Sequence, residues 1–118
     1  MKNILLIITI TLAGFLSSAN ATTIRFEINS WNLGYGPYDT VYINIRANDN
    51  GGRATLYFHR DRLPEILVEF DSRNNLPKVH YSIEEFENVM DLLKDHKIKE
   101  FYFDDYGAVY AGAILVQE

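Results

Sequence analysis

The chain has no cysteine among its 118 residues. That absence excludes disulfides and thiol nucleophiles, and it removes a common ligand of structural zinc. It also excludes a lipid anchor of the bacterial lipoprotein kind, which needs a cysteine at the processing site. Positive charge is scarce too: Lys and Arg number 11 against 16 Asp and Glu, a net charge of -5. A protein that grips nucleic acid by its phosphates needs the opposite balance, so no nucleic-acid partner is expected. The apolar stretch at the N-terminus, Ile4 to Leu16, is only about 13 residues long. A membrane-spanning helix needs roughly 20, so no permanent membrane anchor is expected.

What is present starts with that stretch. Met1-Lys2-Asn3 supplies one positive charge, the apolar run follows, and small residues lead to Ala19-Asn20-Ala21. A basic start, an apolar core and an A-x-A pattern read as a cleavable secretory signal over 1–21. Cleavage is expected after Ala21, leaving Thr22 as the mature N-terminus and a soluble product in the periplasm or outside the cell. Removing 21 of 118 residues leaves 97, and losing Lys2 takes the charge from -5 to -6. That is one small domain, 22–118, large enough for a single core held by packing alone. A small exported domain without disulfides points to a bacterial source.

Along 22–118 the apolar residues set the elements. Ile24, Phe26 and Ile28 alternate with polar neighbours, as a half-buried strand does. Ser30 to Asp39 (SWNLGYGPYD) holds Gly34, Gly36 and Pro37 and reads as a loop. Val41 to Ala47 and Ala54 to Phe58 alternate again. Asn50-Gly51 between them is a hairpin signal, so the two strands are expected to pair. Ile66 to Phe70 is a short fourth strand, Asp71 to Pro77 a turn-rich segment, and Lys78 to Tyr81 a passage out of it. Ser82 with Glu85 fits a capping box, and Ile83, Phe86, Val89, Met90 and Leu93 recur at helical spacing. Early acids and late Lys94, His96 and Lys97 suit the helix dipole, so a helix is expected over 82–96. Ile98 to Phe103, a turn at Asp104-Asp105-Tyr106-Gly107, and an apolar strand from Val109 to Val116 complete the chain. The expected fold is α+β: one antiparallel sheet of about six strands, in chain order β-β-β-β-α-β-β, with one helix packed on a face.

No constellation carries catalysis. His59-Arg60-Asp61 spells a kinase triplet, but that motif needs an asparagine five residues after the aspartate, where Ile66 stands. Aligning Gly51 to the central glycine of a calcium-binding EF-hand puts Arg46 first and Tyr57 last, where acids are required. His59, His80 and His96 lack mutual metal-ligand spacing. Asp104 and Asp105 are adjacent on a turn and point apart rather than at a common substrate. No cofactor, metal or enzymatic activity is expected.

Binding features remain. Trp31, Tyr35 and Tyr38 put three large aromatics in a glycine-rich segment. Such aromatics serve as rigid anchors for proteins or as stacking platforms for sugars. Asp104, Asp105 and Tyr106 form an acidic tip suited to an arginine or lysine of a partner. The polar residues Tyr42, Arg46, Tyr57 and His59 are expected to share a face of the hairpin. The reading is an exported protein-binding domain, an inhibitor or immunity-type protein that occludes a periplasmic or extracellular enzyme through a basic cleft. The alternative is a carbohydrate- or cell-wall-binding module using the same aromatics. The last strand also offers an edge for pairing between copies of the chain.

Overall fold

The computed structural model describes the backbone of residues 3–11, 22–48, 51–105 and 110–117, and side chains from 22 to 48 and from 51 to 104. Among the described residues nine strands form two sheets, accompanied by one α-helix. The strands are β1 (Asn3–Thr11), β2 (Thr22–Glu27), β3 (Ser30–Tyr35), β4 (Thr40–Arg46), β5 (Arg53–His59), β6 (Val68–Asp71), β7 (Leu76–Ser82), β8 (Lys99–Asp105) and β9 (Tyr110–Gln117). The helix α1 (Phe86–Lys94) follows a single 3-10 turn at Ile83–Glu85. The class is α+β and mostly antiparallel, but the single six-stranded sheet expected from the sequence is replaced by two. One sheet runs β3-β4-β5-β7-β6 and the other β1-β9-β8-β2. Among the described strands the one parallel pair is β5 with β7, in the five-stranded sheet.

Two sheets arise because the first long strand turns a corner. The β2–β8 ladder ends at Ile28, whose N–H reaches Lys99 O at 2.9 Å, and the next residue, Asn29, already donates to Arg46 O at 2.8 Å in the other sheet. Residues 22–35 are thus one nearly continuous path shared by both sheets. Each half turns its apolar side inward: Ile24, Phe26 and Ile28 from β2 and its exit, Trp31 from β3. Ser30–Tyr35 is therefore a strand, not the loop its two nearby glycines suggested. Gly34 pairs with Tyr42, and a methyl group there would fall inside the Tyr42 ring. The glycine is present because an aromatic ring lies across the edge strand, not because the chain bends there.

The core lies between the sheets. Val41, Ile43 and Ile45 of β4, Ala54, Leu56 and Phe58 of β5, and Val79 and Tyr81 of β7 face Phe26, Phe101 and Phe103. Phe70 and Phe103 stack across the gap at 5.3 Å, and Phe26 meets Phe101 at 5.4 Å. Each such side chain taken from water contributes about 1.5–3 kcal/mol. The described part of the last run, Tyr110–Gln117, becomes β9 between β1 and β8, in the middle of its sheet rather than at the edge expected for pairing between copies.

The helix is shorter than 82–96. Ser82 is extended and accepts from the Glu84 N–H at 3.3 Å, because the first turn is 3-10. The expected reciprocal box with Glu85 is not made; the Glu85 carboxylate accepts from Asn88 Nδ2 at 3.2 Å instead. At the far end Asp95 is extended, and its carboxylate accepts from the Lys97 N–H at 3.0 Å. That local bond competes with another helical turn and ends the helix at Lys94. Val89, Leu92 and Leu93 are buried in the shared core, and Phe86 meets Phe58 edge-on at 5.2 Å. Among the described residues, no helix is long and apolar enough to cross a membrane.

Candidate functional site: an aromatic hairpin tip and a histidine relay

The β3–β4 hairpin ends in a turn of unusual composition. Thr40 N–H donates to Pro37 O at 3.3 Å, and the two residues between, Tyr38 and Asp39, both have positive φ, 58° and 56°. Two successive left-handed residues characterise a type I′ turn, which matches the twist of antiparallel strands and is normally built from Asn and Gly. Aspartate tolerates this region; a bulky tyrosine is an outlier in it. Holding a side chain there costs about 1–2 kcal/mol. The result is a ring pushed into solvent: Tyr38 is 90 % exposed, and Tyr35, four positions from Asp39, is 77 % exposed.

A cleft of about 420 Å³ opens beside Tyr35, where β3 and β4 meet the start of the helix. Its apolar lining comes from Val41, Ile83 and Phe86, and its charges from Arg60, Glu84 and Glu87. The cleft and the tip lie at the same end of the sheet, because Thr40 pairs with His59 and His59 with Ser82.

The solvent side of the same sheet carries a chain of hydrogen bonds. His80 Nε2 lies 2.7 Å from Glu69 Oε2, and His80 Nδ1 lies 2.8 Å from His59 Nε2. A carboxylate only accepts, so His80 Nε2 holds the proton. A neutral His80 then accepts at Nδ1 from His59 Nε2–H, which leaves His59 Nδ1 as the free acceptor. Tyr57 stacks on His80 at 5.0 Å, and Tyr42 meets Tyr57 at 6.1 Å. Burial, and repulsion from His80 whenever that ring is protonated, holds the His59 imidazole below its ordinary range. This carboxylate–imidazole–imidazole chain can hold or pass one proton. Of the two hydroxyls in register with His59, Ser82 donates to Glu84 Oε1 at 3.2 Å and Thr40 to Tyr38 O at 3.5 Å, so neither donates to a histidine. Among the described residues, no group of three or more His, Cys, Asp or Glu could hold a metal ion.

The sequence candidates separate. Tyr35 and Tyr38 share the tip. Trp31 is half-buried and packs on the core opposite Ile45, so it supports the strand beneath the tip. Asp104 is half-buried and accepts from the Thr23 hydroxyl at 2.9 Å. Asp104 and Asp105 pair with Thr23 and Thr22 in the β2–β8 ladder rather than forming a turn. That is the start of the path whose other end is Tyr35. The side chain of Asp105, the whole of Tyr106 and Asn50, and the cleavage point at Ala21 lie outside the described residues. Tyr42, Tyr57 and His59 do share a face; Arg46 shares it at the far end, opposite Arg53. His80 and Glu69 were missed. Their strands alternate, with Lys78 and His80 between Pro77, Val79 and Tyr81, but Pro77 and the polar turn before it concealed the period of two. His96 is exposed beyond the end of the helix. Comparisons with protein families, with curated proteins and with solved structures found no match.

Proposed function

We propose that this chain is an exported protein-binding domain that occludes an enzyme outside the cytoplasm, in the manner of an inhibitor or immunity protein. Its contact is the β3–β4 tip. One observation carries the reading: Tyr38 occupies a left-handed position at φ 58° while 90 % exposed. Glycine or asparagine would close the same turn without strain, and an exposed ring contributes nothing to the core. Strain of this kind marks places where a side chain's position matters more than local stability. Tyrosine is also a frequent interface anchor, since it brings large contact area at small entropic cost. The acidic net charge of -5 suits a basic partner surface. The leader features of residues 1–21 support release from the cytoplasm; in a cleaved chain β9 would lose β1 as its neighbour.

The test is capture from a cell-envelope extract of the source organism with wild type and a Tyr38→Gly variant. Wild type recovers a partner that the variant loses, although the variant folds at least as well. Equal recovery by both sinks the reading. Binding to purified cell-wall glycan that persists in high salt would put the carbohydrate alternative in its place, because an interface steered by charge weakens there.

A further inference from the structure

We propose that the cleft beside the tip receives the C-terminal arginine or lysine of a polypeptide. The proposal rests on the protein-binding reading above and supplies the chemistry of the occupant. The floor is apolar and fixed: Val41 is buried, and Phe86 is braced edge-on by Phe58 at 5.2 Å. Glu84 and Glu87 stand three residues apart on the helical wall, the spacing that puts two side chains on one face. Arg60 lines the same cleft from the end of β5, and Tyr35 lines it from the end of β3. Among the described residues Arg25 pairs with Glu100, while Arg60, Glu84 and Glu87 have no ionic partner. Glu84 accepts only the neutral Ser82 hydroxyl.

The cleft therefore offers one cation and two carboxylates around an apolar floor. Its complement carries a carboxylate and a cation joined by methylene groups. A C-terminal arginine or lysine has all three. Its α-carboxylate matches the planar fork of Arg60. Its stem lies along Val41, Ile83 and Phe86, as long basic side chains lie on apolar surface. Its charged head reaches Glu84 and Glu87, with the Tyr35 ring available for a cation–π contact. A basic residue inside a chain would leave Arg60 unanswered, and an acidic segment would meet Glu84 and Glu87 with like charge. A volume of about 420 Å³ is within the range of clefts that take small ligands.

The experiment titrates the isotope-labelled full chain with three peptides by NMR: acetyl-Ala-Ala-Arg with a free C-terminus, the same peptide as its amide, and acetyl-Ala-Ala-norleucine. The free acid shifts the amides of Val41, Arg60 and Ile83 to Glu87. The amide binds roughly three-fold more weakly, the loss of one exposed charge contact, and norleucine more weakly still. Arg60→Gln then binds acid and amide alike, while Glu84→Gln with Glu87→Gln weakens both arginine peptides and leaves norleucine unchanged. Equal binding of acid and amide by wild type, a preference that survives Arg60→Gln, or no shifts at the cleft each overturn the proposal. The titration needs no protein partner, so its failure leaves Tyr38-dependent capture standing. Conversely, failure of that capture leaves the peptide result standing.

Discussion

Strand β4 is flanked by two turns that solve one geometric problem with different residues. At its C-terminal end the described left-handed residue is Gly51, φ 72°, with open space around it. The neighbouring Gly52 lies so close to Phe26 that an added methyl would come within 2.5 Å of the ring. At the other end the left-handed positions belong to Tyr38 and Asp39, and the aromatic ring stands in water. The first turn is shaped by the fold, each glycine answering a backbone or packing demand. The second carries a side chain the fold does not need. Local strain kept where relief would be easy points outward, to something the ring touches.

The comparison can be broken at its glycine end first. Gly52→Ala forces a methyl into Phe26, which is 2 % exposed and held by Phe101, so the ring cannot move aside. Overpacking of this kind costs about 2 kcal/mol, a fall of roughly 10 °C in Tm by thermal circular dichroism. A change below a few tenths of a kcal/mol would mean that the turn, not the core, gives way. Gly51→Ala is expected to cost about 1 kcal/mol through its left-handed φ alone, and Gly51→Asn much less, since asparagine tolerates that region. Urea midpoints separate the two.

At the tyrosine end the sign reverses. Tyr38→Gly is expected to stabilise the chain by up to about 1 kcal/mol while reducing partner capture, and Tyr38→Ala to lose capture without the gain, because alanine keeps the steric penalty. Equal stability of the two variants would remove the strain argument. The smallest effect is pH dependence. The folded His59 is held below its ordinary range, so the unfolded chain takes up the proton first as pH falls through about 6.5. Stability from this group is complete above that value and is lost as pH drops towards the lowered folded value. His59→Gln should flatten the slope of urea stability between roughly pH 7.5 and 5.5; an unchanged slope would assign the dependence to another group.

Much of the molecule was legible in the residues. Period-two alternation located β2, β4 and β5, and helical spacing located α1, because each buries a single face. Three strands escaped, β1 among them, because Asn3–Thr11 lies inside the stretch read as an export signal. β3 was hidden by Gly34, whose purpose is visible only with Tyr42 above it, and β7 by Pro77, which is buried among the core strands. The aromatics of the candidate site were named from composition, but their division was not: Trp31 faces inward and Tyr38 outward because they lie at different depths along one hairpin. The His59–His80–Glu69 chain was out of reach. Its bonded members are 21 and 11 residues apart in sequence and meet only through the pairing of β7 with β5 on one side and with β6 on the other.

By itself the sequence determined what local chemistry determines: a cysteine-free, acidic chain, strands and a helix with one apolar face each, and an aromatic-rich segment near residue 35. The tertiary structure decided how those faces were shared. A corner at Ile28 and Asn29 split one expected sheet into two, since a half-buried strand can exchange hydrogen-bonding partners midway while keeping its apolar side inward. It also decided which aromatic is exposed, which histidines meet, and where Arg60 lies relative to Glu84 and Glu87. These depend on register and pairing between distant segments, and nothing in the local pattern of any one segment specifies them.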